Sequence, residues 1–390
     1  MKRRVYMDHS ATTPVRPEVV EAMMPYFGES FGNASSVHGF GQEGRSAVES
    51  AREKVASLIG ADPEEIIFTS GGTESDNLAI VGTANAQVKK GRHVITSAIE
   101  HHAVLNTCTA LAKAGFEATV LPVDGGGLVD PEELARSLRP DTVLVSVMTA
   151  NNEVGVIEPV AELAAIAHRA GAAFHTDAVQ AAGKVPLKVD ELDVDLLTIS
   201  AHKFYGPKGI GALYRRKGTR ILPIMRGGHH ERKLRPGTEN VPGIVGMAAA
   251  LELACGEMPR EMERLRGLRD RLQVGIMNGI ADVRLNGDPD HRLPHLLNVS
   301  IIGAEGESIL LSLDAYGIAC STGSACTSGS LEPSHVLIAM GIPPEIAHGS
   351  LRFSLGRMNT GEDVDYVLEV LPTVVGRLRE MSPTYKKARP

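Results

Sequence analysis

The chain contains no tryptophan, and aromatic residues make up only 4% of its 390 positions. Hydrophobic residues still reach 43%. The apolar mass is therefore mostly aliphatic, sufficient for a sizeable core, and wholesale disorder is excluded. Cysteine is scarce: Cys108, Cys255, Cys320 and Cys326 are the four, with no C-x-x-C pair. That argues against a disulfide framework or a structural zinc site and points to a reducing, cytoplasmic setting. No apolar run approaches the roughly 20 residues of a bilayer span. The basic tip Met1-Lys2-Arg3-Arg4 lacks the apolar stretch of a signal peptide behind it. Positive charge is also in deficit, and a net charge of −7 argues against non-specific binding to nucleic acid or to an anionic membrane.

What is present is alternation. From about residue 60, short β-branched runs at 66–69, 93–97, 118–123, 143–148, 173–177, 196–200 and 211–215 are separated by helical stretches, and a further helix is expected at 45–59. Each run is apolar on both faces, as in a sheet covered by helices on both sides. This predicts an α/β domain with a mostly parallel seven-stranded sheet. Beyond an alanine-rich helix near 245–257 and a charged one near 261–270, strand-like pieces at 297–302 and 352–355 and helices near 305–317 and 361–380 read as a smaller α+β domain. The expected division is 15–257 for the large domain, and 1–14 with 258–390 for the small one.

Ligands of open α/β sheets bind outside the carboxyl ends of the strands. Here those ends run into Ser70-Gly71-Gly72-Thr73, Glu100-His101-His102, Asn151-Asn152-Glu153, Asp177-Ala178-Val179-Gln180 and Ser200-Ala201-His202-Lys203. The Gly71-Gly72 turn opening a helix reads as a phosphate cup, with an ordinary capped turn as the alternative. Lys203, at a buried strand end, suits a desolvated amine able to form a Schiff base; Lys208 is the competing lysine. Asp177 is placed to pair with a protonated pyridine nitrogen, or to form an Asx turn. His101 either stacks on an aromatic ring and moves protons or is an ordinary rim histidine. Phosphate cup, Schiff-base lysine and ring-nitrogen carboxylate together describe a site for pyridoxal 5′-phosphate.

The chain also resembles the group I cysteine desulfurases of the NifS/IscS type, within the fold-type-I, aspartate-aminotransferase-like enzymes that use this cofactor. The resemblance rests on Tyr6-Met7-Asp8-His9-Ser10-Ala11-Thr12-Thr13-Pro14, Thr69-Ser70-Gly71-Gly72-Thr73-Glu74-Ser75, Asn151-Asn152-Glu153-Val154-Gly155, His202-Lys203-Phe204-Tyr205-Gly206-Pro207-Lys208-Gly209, Arg235-Pro236-Gly237-Thr238-Glu239-Asn240 and Thr322-Gly323-Ser324-Ala325-Cys326. It implies that Lys203 carries the cofactor, that Asp177 faces the ring nitrogen and that Gln180 holds the ring hydroxyl. Gly72, Thr73, Ser200 and His202 would hold the phosphate, joined by Thr238 from the partner subunit of a homodimer. His101 would stack on the ring, Asn152 would lie near the ring and the substrate carboxylate, and Arg352 would clamp that carboxylate. Gly72, His102, Ala201 and Pro236 depart from the family's commonest residues without removing a catalytic group.

The same resemblance implies removal of sulfur from L-cysteine to give L-alanine and a persulfide on Cys326, with His101 helping to deprotonate the thiol. The sulfur would pass to an iron–sulfur scaffold protein of the IscU/NifU type, where Cys326 would be a candidate shared ligand of a [2Fe-2S] cluster. Cys326 sits in the small-residue stretch 321–330, expected to be an exposed, mobile loop, while Cys320, Cys108 and Cys255 read as structural. No metal site of the chain's own is expected. Two rival readings stand beside this one: an aminotransferase or β-lyase on the same fold, and a non-catalytic docking protein.

Overall fold

The computed structural model describes residues 3–322, 332–382 and 385. Among these, strands β1 (Val5–Tyr6), β2 (Ile66–Thr69), β3 (His93–Ser97), β4 (Glu117–Leu121), β5 (Thr142–Ser146), β6 (Ala173–Asp177), β7 (Leu196–Ser200), β8 (Gly211–Arg215), β9 (Val283–Asn286), β10 (Leu296–Ile301), β11 (Ile318–Ala319) and β12 (Ser350–Ser354) form three sheets. The large sheet has seven strands in the order β2-β8-β7-β6-β5-β3-β4. Only β8 runs against the rest, so the other strands all end at one edge.

Residue alternation builds this sheet. Ile66, Phe68, Val145, Leu197 and Ile199 belong to one core with Val48, Val55 and Ile59 of the helix Gly39–Ile59. Ile67, Leu144 and Leu196 belong to another with Leu78 and Ile80 of the helix Gly72–Ala86. Adjacent residues of a strand point to opposite faces, so a strand covered on both sides is apolar throughout. β4 stops at Leu121, short of the expected 123, because Pro122 has no N–H to continue the ladder.

The helices expected near 245–257 and 261–270 are one, Val241–Gly279, which contains Pro259. That proline lies on an exposed face, where its ring meets solvent and the helix forgoes a single backbone bond. Leu251 of this helix enters the core of the large body and Leu265 that of the small one. Residue 257, the expected boundary, therefore falls inside a helix rather than in a linker. By length and composition this helix also meets the measure of a membrane span, contrary to the expectation that no segment does. Its Ile244, Met247, Ala250 and Leu251 are buried in the core of the large body.

In the small body β10 lies between β12 and β9, antiparallel to both. β9 escapes a sequence reading because Val283, Arg284 and Leu285 all remain at least partly exposed. β1 pairs with β11, and Val5 and Met7 join Leu297, Val299 and Ile301 of β10 in the second core. Past Met7 the chain crosses to the large body, where the Thr13 N–H donates to the His202 carbonyl at 2.9 Å. Residues 8–13 thus bridge the two bodies beside the carboxyl edge of the large sheet.

Candidate active site

β2 ends at Thr69, and three residues later the fifteen-residue helix Gly72–Ala86 begins without a side-chain cap on its first N–H groups. An uncapped helix start is an anion site in waiting. The turn is held from below: Thr69 Oγ1 meets Ser75 Oγ at 2.7 Å, and Glu74 Oε2 accepts the Ser70 N–H at 2.7 Å. A Cβ on Gly72 would come within 2.9 Å of Val179 Cγ2, so glycine lets the segment after β6 close over the turn.

β6 delivers Asp177, whose Oδ1 accepts the Val179 N–H at 2.9 Å. Asp76, one turn into the neighbouring helix, is 1% exposed, and its Oδ1 has no hydrogen-bond partner among the described residues. Burial raises both carboxyls, Asp76 the more strongly, and their charges oppose one another, whereas Lys203 favours the ionised form of Asp177. The proton of this pair accordingly resides on Asp76 and the charge on Asp177.

β7 runs into the short turn Ala201–Lys203. The Lys203 amine donates to the carbonyls of Ser10 at 2.6 Å and Ala11 at 2.8 Å. His202 Nδ1 lies 3.1 Å from Thr12 Oγ1. Gln180 Nε2 donates to the same Ser10 carbonyl at 3.0 Å. His101 caps the helix His102–Lys113, its Nδ1 accepting the Ala103 N–H at 3.1 Å. Burial, reinforced by Lys203, His102 and His335, lowers its pKa to about 4. A neutral ring whose Nδ1 accepts carries its proton on Nε2. In this state His101 presents a hydrogen-bond donor at Nε2. The Cys326 thiol, whose deprotonation it is expected to assist, lies outside the described residues.

After β5, Asn151 braces the backbone: its Oδ1 accepts from the N–H groups of Glu153 and Val154, and its Nδ2 donates to the Ile99 carbonyl. The next residue, Asn152, offers its carbonyl to Arg352 Nη1 at 2.9 Å. Arg352 comes from β12 of the small body, is 2% exposed, and pairs with Asp8.

These groups line one cavity of about 960 Å³, open to solvent. It gathers Gly72, Thr73, His101, Asn152, Asp177, Gln180, Ser200, His202, Lys203 and Arg352. Thr238 is exposed and does not line it. Lys208, the competing lysine, is exposed as well. Cys320 and Cys108 are buried, and burial pushes both thiols up to about 12. The wall also includes Ser10, Ala11, Asp76 and Met148, which sequence reasoning missed. Asp76 carries a signal, since it stands four residues after Gly72, one helical turn along the same face. Main-chain carbonyls such as those of Ser10 and Ala11 carry none.

The aminotransferase class-V family model matches residues 5–367 of the chain. A cysteine desulfurase IscS of Dictyoglomus turgidum is 58% identical over 387 residues, 99% of this chain and 98% of that protein. One of the same name from Methanosarcina thermophila is 58% identical over 385 residues, 99% of this chain and 95% of its own length. Among solved structures, a NifS-like protein superposes with a TM-score of 0.91 at 42% identity, covering 96% of this chain and all of its own.

Proposed function

We infer the reaction from membership: this chain belongs to the aminotransferase class-V family, and it is a cysteine desulfurase that works with pyridoxal 5′-phosphate, taking sulfur from L-cysteine, releasing L-alanine and passing the sulfur to acceptors. One structural observation carries the reading. A single cavity brings an amine, a buried carboxylate and an uncapped helix start together at the carboxyl edge of the sheet.

Those residues fit the cofactor. The helix start at Gly72 and Thr73, with Ser200 and His202, would take the phosphate. Asp177 would face the ring nitrogen, Gln180 the ring hydroxyl, and Lys203 would supply the anchoring amine. Bound there, the cofactor supplies an electron sink for bonds at the substrate Cα. The rest falls to the chain itself. Asp76 keeps a proton and so leaves the negative charge on Asp177. His101 holds a proton on Nε2. Arg352 gives one N–H group to Asp8 and one to the Asn152 carbonyl, which fixes its planar fork on the cavity wall, where it would take a carboxylate. Cys326 is assigned to receive the sulfur as a persulfide.

The purified protein with L-cysteine and a reducing thiol should form alanine and sulfide in equal amounts. Lys203→Ala should lose the visible absorbance of the bound cofactor. Cys326→Ser should still perturb that absorbance on adding cysteine, yet release no alanine. A keto acid in place of alanine would point to transamination and overturn the assignment.

We further propose a cytoplasmic homodimer that hands sulfur to an iron–sulfur scaffold protein of the IscU/NifU type. The exposed position of Thr238, off its own chain's cavity, supports its service to a partner subunit. The exposed apolar residues Val20, Met24, Phe27, Phe31, Val37 and Phe40 support a buried interface. The IscS name of the relatives supports the acceptor, and the low cysteine content supports the compartment. Sedimentation of the purified enzyme tests the dimer.

A further inference from the structure

Asp177, Gln180 and Lys184 follow one another at intervals of three and four residues, the spacing of one face of a helical turn. The chain after β6 does turn this way, with the N–H groups of Ala181 and Ala182 donating to the Ala178 carbonyl and those of Lys184 and Val185 to that of Ala181. Lys184 Nζ consequently lies 3.3 Å from both the carbonyl and the Oε1 of Gln180. With Oε1 accepting from the Lys184 amine, the amide can present only its NH₂ to the Ser10 carbonyl, at 3.0 Å. That carbonyl is the one Lys203 Nζ reaches at 2.6 Å. Three hydrogen bonds therefore link the two amines.

Lys184 and Lys203 also share a second cavity between the two bodies, about 570 Å³ with its open mouth included. The carboxylates on its wall are already taken, Glu257 by Arg16 at 2.8 Å and Glu261 by Arg264 at 2.8 Å. His9 and His295 are buried there, and neither ring makes a well-formed hydrogen bond through its nitrogens to the described residues. Burial keeps both rings neutral. Tyr205 and Arg357 complete the titratable wall, while Asp76, His101, Asp177, His202 and Arg352 face Lys203 from the first cavity. Lys184 itself forms no ion pair with a carboxylate among the described residues. Burial and the nearby Lys203 lower its pKa to about 7.

We propose that Lys184 is a positioning residue for the anchoring amine: through Gln180 and Ser10 it fixes where Lys203 sits, and in its protonated form, with no carboxylate of its own among the described residues, it disfavours a proton on Lys203. The proposal rests on the reading that Lys203 carries the cofactor. Two amines held close in one desolvated site are a physical route to a nucleophilic lysine. Removing the neighbour strengthens proton binding at the anchor, whereas an arginine at 184 retains the charge.

The test is a pH titration of the cofactor's visible absorbance in the holoenzyme, comparing wild type, Lys184→Met and Lys184→Arg. In Lys184→Met the midpoint should rise by about one pH unit, the order expected of a lost neighbouring charge. In Lys184→Arg it should stay within a few tenths. An unmoved midpoint in Lys184→Met overturns the proposal. Should Lys184→Met fail to fold or to bind cofactor, the reciprocal measurement decides, because coupling between two sites is mutual. Competitive amine labelling of apoprotein, read by peptide mass spectrometry, should show Lys184 titrating near 7 in wild type and distinctly higher in Lys203→Ala. Equal midpoints overturn it. If instead Lys203→Ala keeps the cofactor's covalent absorbance, the anchoring role of Lys203 has failed, which is a different outcome.

Discussion

Arg352 and Asp8 form an ion pair at 2.8 Å, although 344 positions separate them in the chain. The pairing is a consequence of topology. β12 carries Arg352, Asp8 bridges to Ser354 of the same strand, and β1 leads directly into Asp8. A buried guanidinium needs a counter-charge, and the first residues of the chain provide it while also presenting Ser10 and Ala11 to Lys203.

Asp8→Asn keeps the shape but removes that charge. It should lower stability toward the lower end of the ~3–5 kcal/mol typical of a broken buried pair, because Asp8 is itself partly exposed. Arg352→Lys should lower kcat/KM about 100-fold, mostly through KM, since an ammonium cannot reproduce the planar fork. Urea unfolding checks the first, and initial rates of alanine formation the second. Unchanged KM would remove Arg352 from substrate binding.

A second buried pair supports the phosphate turn from behind. Arg52 Nη2 meets Glu231 Oε1 at 2.7 Å, and Glu231 Oε2 accepts the Phe68 N–H at 2.8 Å. Glu231→Gln should cost about 3–5 kcal/mol in urea unfolding, whereas replacing Arg52 and Glu231 together by methionine should recover much of the loss.

Glu158 is 4% exposed, and its Oε2 accepts the Val129 N–H at 3.0 Å. Burial pushes its pKa from 4.5 to about 8. Between those values the folded protein keeps a proton that the unfolded chain has lost, so this group withdraws stability as pH rises through the window. Stability of wild type minus that of Glu158→Gln should therefore fall between about pH 5 and pH 8, by at most ~1.4 kcal/mol per pH unit. A constant difference would contradict the buried, protonated state.

Thiols held near 12 are almost entirely protonated at about pH 8, with a thiolate fraction of about one in 10⁴. Iodoacetamide should thus leave Cys108 and Cys320 unmodified in the native protein and alkylate both in urea. Rapid native labelling of either, seen by peptide mass spectrometry, would show that its burial is not maintained.

Much of this arrangement is legible in the sequence. The strands of the large sheet are short apolar runs, and the polar residues that follow them stand out because packing does not require them. His101, Asp177 and Lys203 are examples, and all reach the same cavity. Asp76 and Lys184 are harder, because each looks like an ordinary helix or turn residue until the fold shows what it faces. The anchor's acceptors, the Ser10 and Ala11 carbonyls, are main-chain groups that any side chain could accompany. The helix through Pro259 misleads for a physical reason: proline breaks a helix on average, but an exposed position tolerates the one bond it omits.

That helix has a thermal consequence. At about 1.5 Å per residue, Val241–Gly279 is roughly 58 Å long, with Leu251 seated in one body and Leu272 and Ile276 in the other. Neither body can melt alone without stripping its share of a common rod, so heating should give one calorimetric peak for the whole chain, and a fragment cut at residue 257 should not fold.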